Sequence, residues 1–215
     1  MIKIKSESFF EEYKIFEKIF KKKKNKFLRI LDLWCWNWRF NLLAQKIFEE
    51  NNFNYKKIFY WVEKNFSENI KNFSDIFINT DINFFLENKK NFVWEKFFDF
   101  VILSGIFENF LKFDKKILNK IYKILEKDWV IFINFWNYWE NYSENYLEKK
   151  WDEKKNIFRE KNISEVKKYF EKNLLPEIKK SKFNLNKEIW EKFEVFYNEK
   201  QKNWGWNISL ILNKN

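Results

Sequence analysis

Residues 30–40 run Ile-Leu-Asp-Leu-Trp-Cys-Trp-Asn-Trp-Arg-Phe, and no other stretch limits the fold of this chain so tightly. An apolar run, residues 27–33, leads into it. Phe40, Leu43, Ala44, Ile47 and Phe48 follow at the i, i+3, i+4, i+7, i+8 spacing of a helix packed on a sheet. The stretch therefore reads as a strand, a tight turn and a helix start. A turn of this kind that cradles a ligand needs glycine, which takes φ > 0 and lets the main chain approach closely. Here tryptophan stands at positions 34, 36 and 38. Composition repeats the anomaly: the chain has 12 Trp and 2 Gly in 215 residues, where ordinary usage predicts about 15 Gly. Further Trp fall where turns are expected, in Lys127-Asp128-Trp129-Val130 and in Asn203-Trp204-Gly205-Trp206-Asn207. We read several of these Trp as standing where the natural protein has Gly. The expected cause is a UGA codon, read as Trp by the standard code and as Gly in some bacterial lineages.

At 215 residues the chain is one domain (1–215), long enough to bury a substantial core. Its single Cys excludes an intramolecular disulfide, and the absence of His removes the commonest general base and metal ligand. No metal site is expected. The N-terminus lacks the apolar centre of a signal peptide, and no apolar run approaches the ~20 residues of a membrane span. A cytoplasmic protein with no membrane partner is expected. The net charge of +11 and the pI near 9.4 favour an anionic partner such as RNA. A blander reading stands beside it: Lys, Asn, Ile and Phe abound as an AT-rich genome would produce, and the basic residues are scattered among 31 acids.

Phe9, Tyr13, Phe16 and Phe20 mark one face of a first helix, and the Lys run at 21–24 reads as a solvated connector. Strands are expected at residues 27–33, 57–63, 75–81, 97–105 and 130–135, with short helical stretches at 68–73 and 117–125 between them. Residues 83–95 read as helix or loop. Residues 136–190 lose this rhythm, apart from a helix at about 166–174 closed by Pro176. Strands near 193–198 and 207–212, joined by the Gly/Trp turn, close the chain as a β-hairpin within 191–215. Strands alternating with helices, then a hairpin, mean an α/β sheet with one antiparallel edge. Such sheets bind ligands beyond the carboxyl ends of their strands, where the strand order reverses. Asp32 to Trp38, Glu63, Asp81 and Ser104 lie at four consecutive strand ends. Each alone is explained as a cap or a solvated loop residue.

With Gly at 34, 36 and 38, Leu-Asp-Leu-Gly-Cys-Gly-Asn-Gly-Arg-Phe resembles the first motif of the class I S-adenosylmethionine-dependent methyltransferases, and residues 27–135 resemble their cofactor-binding core. The resemblance implies a Rossmann-like three-layer α/β/α sandwich with a mostly parallel seven-stranded sheet and an antiparallel last strand. It implies S-adenosyl-L-methionine as cofactor. Asp32 and the main chain of Trp34, Cys35, Trp36, Asn37 and Trp38 would hold the methionyl part. Glu63 would accept from both ribose hydroxyls, two acceptor oxygens for a vicinal diol. Asp81 would take the adenine amino group, with Ile82 packed on the ring, and Ser104 would line the floor where donor meets acceptor. Residues 136–190 would form a substrate-side insertion. Cys35 reads as a small motif residue and not as a nucleophile. A sulfonium already activates its methyl group, so such an enzyme mainly aligns the acceptor and excludes water. Glu108, Tyr138 and Tyr142 are candidates for a base, and the sequence does not choose among them.

Phe135-Trp136-Asn137-Tyr138-Trp139 and residues 207–212 are similar to segments of relatives of the tRNA wobble-uridine methyltransferases, although the His pair those relatives carry after strand four is missing here. The methyl acceptor is therefore left as tRNA or a small molecule. A nicotinamide dehydrogenase fits the spacing of the turn less well. If the tryptophans are genuine, the alternative is a non-catalytic Rossmann-like module stacking aromatic residues on single-stranded RNA.

Overall fold

Five apolar runs of the sequence lie side by side as parallel strands: β1 (Phe27–Leu33), β2 (Lys56–Glu63), β3 (Ile76–Asn79), β4 (Phe98–Ser104) and β5 (Leu125–Trp139). The computed structural model describes residues 10–22, 27–33, 39–64, 75–104, 115–139, 171–172, 176, 180–185, 193–198 and 203–214. The strand order is β3-β2-β1-β4-β5, so the chain steps outward from β1 on one side and from β4 on the other. β4 has all seven residues buried, as a central strand covered on both faces must.

Beyond β5 lies β8 (Asn203–Lys214), the one strand that runs against the rest. Its outer side is shared by two short strands. β7 (Phe193–Asn198) pairs with residues 203–208 and β6 (Phe183–Leu185) with residues 212–214. Eight strands therefore occupy seven places in the sheet. The expected seven-stranded sheet is corrected by β6, which lies in the stretch read as rhythmless insertion. The mostly parallel order with a late antiparallel strand is as expected.

Helices cover both faces. α1 (Phe10–Lys21) and α2 (Arg39–Glu50) place Phe16, Phe20, Phe40, Leu43, Ala44 and Ile47 against Leu28, Ile30, Phe59, Phe100, Ile102 and Phe132. Phe16 meets the Phe100 and Phe132 rings edge-on at 4.8 and 4.9 Å, within the range where aromatic pairs add to area burial. α3 (Ile82–Asn88) and α4 (Lys115–Ile124) cover the other face through Phe85, Leu86, Ile117, Leu118 and Ile121, packed on Leu31, Leu33, Val101 and Leu103. α2 ends at Asn51-Asn52, with Asn52 in the left-handed region (φ 38) that asparagine tolerates after a helix.

Two turns expected from Trp positions lie elsewhere. The stretch 203–207 is inside β8, where Trp206 pairs with Asn137 and Trp204 with Trp139; the β7–β8 connection at 199–202 is outside the described residues. Trp129 is not the turn residue after α4 either. β5 begins directly at Leu125, its register with β4 shifts between Phe98 and Phe100, and the left-handed residue is Asp128 (φ 63). An Asp tolerates that conformation, so the sequence met the backbone requirement one residue earlier than expected. Trp129 packs, half-buried, against both core clusters. The helix expected at 68–73, and all but residues 171–172 of the one expected at about 166–174, fall outside the described residues.

Lys214, near the end of β8, fastens this outer part of the sheet to α4. Its Nζ donates to the carbonyl of Tyr122 (2.7 Å), in the last turn of α4, and to that of Leu125 (2.5 Å), the first residue of β5, and lies over the Tyr122 ring. Burial pulls its pKa below the ordinary lysine value. Lys214→Met is expected to cost about 1.5–3 kcal/mol of stability, read as a lower urea midpoint with an unchanged slope. A loss below half a kcal/mol would mean that water satisfies those carbonyls equally well.

Candidate functional site

Paired residues of parallel strands sit side by side, and successive residues point to opposite faces. Register therefore tells which side chains share a face. On the α1/α2 face one row contains Phe77, Trp61, Asp32, Ile102 and Phe132, each paired with the next across β3, β2, β1, β4 and β5. The following row on that face, nearer the carboxyl ends, holds Asn79 paired with Glu63, and Ser104 paired with Asn134. The change is abrupt. A row that is apolar except for Asp32 gives way to a row of polar residues, spread across the place where the strand order reverses.

Burial separates Asp32, Ser104 and Asn134 from ordinary surface polarity, while Asn79 is exposed. Asp32 is fully buried, Asn134 is 1% exposed and Ser104 is 6% exposed. Ser104 Oγ donates to Asn134 Oδ1 at 3.4 Å, a long bond that leaves room for adjustment. Glu63 is half-buried at the end of β2, and burial raises its carboxyl to about 7. The Trp61 indole N–H pulls the other way, although its Nε1 makes no hydrogen bond of normal geometry. Asn79, with its amide nitrogen turned to donate, reaches the main-chain carbonyls of Lys64 (3.0 Å) and Glu63 (3.2 Å) and so ties down the end of β2.

Asp81 has a local task as well. It is the N-cap of α3, and its Oδ1 accepts from the main-chain N–H groups of Asn83 (2.9 Å) and Phe84 (3.2 Å). Ile82 belongs to the α3/α4 core cluster and is 7% exposed. Trp34, Cys35, Trp36, Asn37 and Trp38 lie outside the described residues, as do Glu108 and Tyr142. Residues 135–139, likened above to a segment of the tRNA wobble-uridine methyltransferase relatives, are part of β5 and pair with residues 204–208; Tyr138 pairs there with Gly205.

Two polar residues escaped the sequence reading. Asn134 interrupts the apolar run Val-Ile-Phe-Ile-Asn-Phe on the face where its neighbours Phe132 and Ile102 are core. Asn41 sits in the first turn of α2, is fully buried, and has no hydrogen-bond partner for either amide atom. The signal in both cases was an amide inside an apolar periodicity. Among the described residues no group of three or more His, Cys, Asp or Glu is arranged to hold a metal ion. No helix among them is long and apolar enough to cross a membrane.

No family model and no curated protein matches the sequence. Solved structures do resemble the chain. One is a phosphoethanolamine N-methyltransferase of Haemonchus contortus in complex with phosphomonomethylethanolamine and S-adenosylhomocysteine (11% identity, 95% of this chain, 52% of that chain, TM-score 0.46). Another is the N-methyltransferase NodS of Bradyrhizobium japonicum (9% identity, 95% of this chain and 96% of that chain, TM-score 0.46). A third is the CurJ carbon methyltransferase (10% identity, 94% and 53%, TM-score 0.49). This chain thus spans about half the length of the first and third. At these identities the likeness concerns the path of the chain, and the functional reading rests on the residues above.

Proposed function

We propose that the chain is a class I S-adenosylmethionine-dependent methyltransferase whose natural sequence carries Gly at positions 34, 36 and 38. One observation carries the reading: a polar row at the carboxyl edge, centred on the β1/β4 reversal, with a half-buried carboxylate at the end of β2 and a fully buried one in β1. The donor set fits the cofactor. Asp32 and the main chain of 34–38 would hold the methionyl part. Glu63 would accept from the ribose 2′- and 3′-hydroxyls. Asp81 would take the adenine amino group on Oδ2, since Oδ1 caps α3, with Ile82 beside the ring. Ser104, oriented by Asn134, would face the methyl acceptor.

S-adenosylmethionine supplies an activated methyl group on a sulfonium. The chain's own contribution is to hold the donor still, exclude water and present an acceptor lone pair in line with the methyl carbon. Ser104 can accept a hydrogen bond from an acceptor N–H or O–H while its own proton goes to Asn134.

Glu63 gives the test. A carboxyl with a pKa of about 7 is ionised above that pH and protonated below it. Only the ionised form offers acceptors to both hydroxyls. Affinity for S-adenosylhomocysteine is therefore expected to be flat above pH 7 and to fall by up to about tenfold per unit below it. Stability should move in the opposite direction. The folded chain holds this proton more tightly than the unfolded one, so the contribution of Glu63 favours the fold at low pH. That contribution is lost as the pH rises from the ordinary carboxylate range through 7. Glu63→Gln should abolish the slope and weaken binding at pH 8. Calorimetry across pH 5.5–8.5, on the chain with Gly at 34, 36 and 38, measures both. A slope that survives in Glu63→Gln would remove Glu63 from the ribose.

A further inference from the structure

Asn41 is the described side chain whose burial is hardest to explain by folding. It is fully buried in the first turn of α2, and neither Oδ1 nor Nδ2 has a hydrogen-bond partner. A buried amide left unsatisfied opposes folding, whereas Leu at the same place would pack without that cost. Its position is informative. α2 leaves the carboxyl end of β1 and returns to the start of β2, so its first turn stands over the carboxyl edge. The neighbouring Phe40 confirms the level by meeting Phe132, in the row of Asp32, at 4.8 Å. The first turn of α2, and Asn41 with it, therefore lies at the carboxyl edge near the buried Asp32, at the positive end of a twelve-residue helix.

We propose that Asn41 binds the amino-acid end of the cofactor, its Nδ2 donating to the carboxylate and its Oδ1 accepting from the ammonium. This deepens the methyltransferase reading and rests on it. A primary amide presents a donor and an acceptor from one carbon, which matches a zwitterion that carries an acceptor and a donor on one carbon. The N-terminal end of α2 favours the carboxylate, and the buried carboxylate of Asp32 favours the ammonium. Asn41 thereby becomes a residue that selects ligands bearing an amino-acid tail over nucleosides that lack it.

The test compares S-adenosylhomocysteine with 5′-methylthioadenosine, which has the same nucleoside and thioether but no amino-acid end. Both are titrated calorimetrically into the full chain with Gly at 34, 36 and 38, alone and with Asn41→Ala or Asn41→Leu added. Asn41→Leu is the variant chosen to fold, since it removes the unsatisfied amide; its ligand-free Tm is expected to equal or exceed the parent's. Each substitution should weaken S-adenosylhomocysteine by about 10–100-fold and leave methylthioadenosine within about twofold. Equal losses for both ligands would show that Asn41 only shapes the turn. No loss for either, or a ligand-free Tm that falls in Asn41→Leu, would give the amide a structural role; any of these overturns the proposal. A parent chain that binds neither ligand would overturn the methyltransferase reading and this proposal with it. A parent that binds both, with an indifferent Asn41→Leu, would overturn the proposal alone.

Discussion

Gly at positions 34, 36 and 38 is expected to raise the affinity for S-adenosylhomocysteine at least about a hundredfold over the Trp-bearing chain. Each indole brings about 150–250 Å² of surface, and three at alternate positions would have to fit between β1 and the first turn of α2. A ligand lying against that main chain needs the space that their Cβ atoms and rings take. Two steps of about 1.4 kcal/mol each make the hundredfold, and displacing even one indole from a nucleoside site costs that much. Calorimetry on the Trp34→Gly, Trp36→Gly, Trp38→Gly chain beside the chain as written measures it; equal affinities would sink the reading. The coding DNA gives an independent check, since UGA at these codons is required and UGG excludes it. The remaining Trp do not all behave alike. Trp94 is fully solvent-exposed, and Trp61 buries an indole whose N–H finds no hydrogen bond of normal geometry. Trp129 packs between the two core clusters with no left-handed backbone beneath it. Codon sequences at 61 and 94 are accordingly expected to match those at 34, 36 and 38 before that at 129 does.

Arg29→Met is expected to destabilise the fold by about 3–5 kcal/mol, roughly 6–20 °C in Tm for a domain of this size. Asp99, in the central strand β4, is fully buried. Its carboxylate accepts from Arg29 Nε (2.9 Å), from Arg29 Nη2 (2.9 Å) and from the Arg29 main-chain N–H (2.8 Å). Arg29 also reaches Glu126 at 3.3 Å, so the guanidinium joins β1, β4 and the start of β5. Hydrogen bonding to Asp99 raises the Arg29 pKa, with burial opposing it. Methionine would fill much of the same space and leave a buried negative charge with its strongest counterpart removed. Replacing both partners by apolar residues should restore most of the loss, because a buried ion pair contributes little beyond neutralising itself. Scanning calorimetry on the single and double variants measures both effects. A single-variant loss below 1 kcal/mol would mean that water or another cation replaces the guanidinium.

Much of the architecture could be read from apolar period alone. β1, β2 and β4 fall within a residue or so of their expected limits because buried parallel strands are nearly continuous apolar runs. β5 did not. It extends to Trp139 because its outer half pairs with residues 204–208 of β8, a long-range partnership that no local pattern announces. The Gly/Trp stretch misled for a related reason: Gly205 is a turn former by propensity, yet it is held extended between Tyr138 and Phe196. β6 is three residues long, too short for period 2 to register. At the site, acids at strand ends were legible since a charge stands out against Ile, Phe and Val. Asn41 and Asn134 were not, because Asn is abundant throughout this chain and an amide inside an apolar periodicity stands out less than a charge. Asp81 was found, and its double duty as a helix cap emerged from the two N–H groups it accepts.

The position of β8 has a consequence for synthesis. Among the described residues, β5 has its outer neighbour, and β6 and β7 their partner, in residues 203–214. A nascent chain still lacking that segment carries an open β5 edge and two strands with nowhere to dock, and such edges recruit other chains. Ribosome-bound intermediates should accordingly hold the β3-β2-β1-β4-β5 half first and depend on chaperones until the last of these strands emerges.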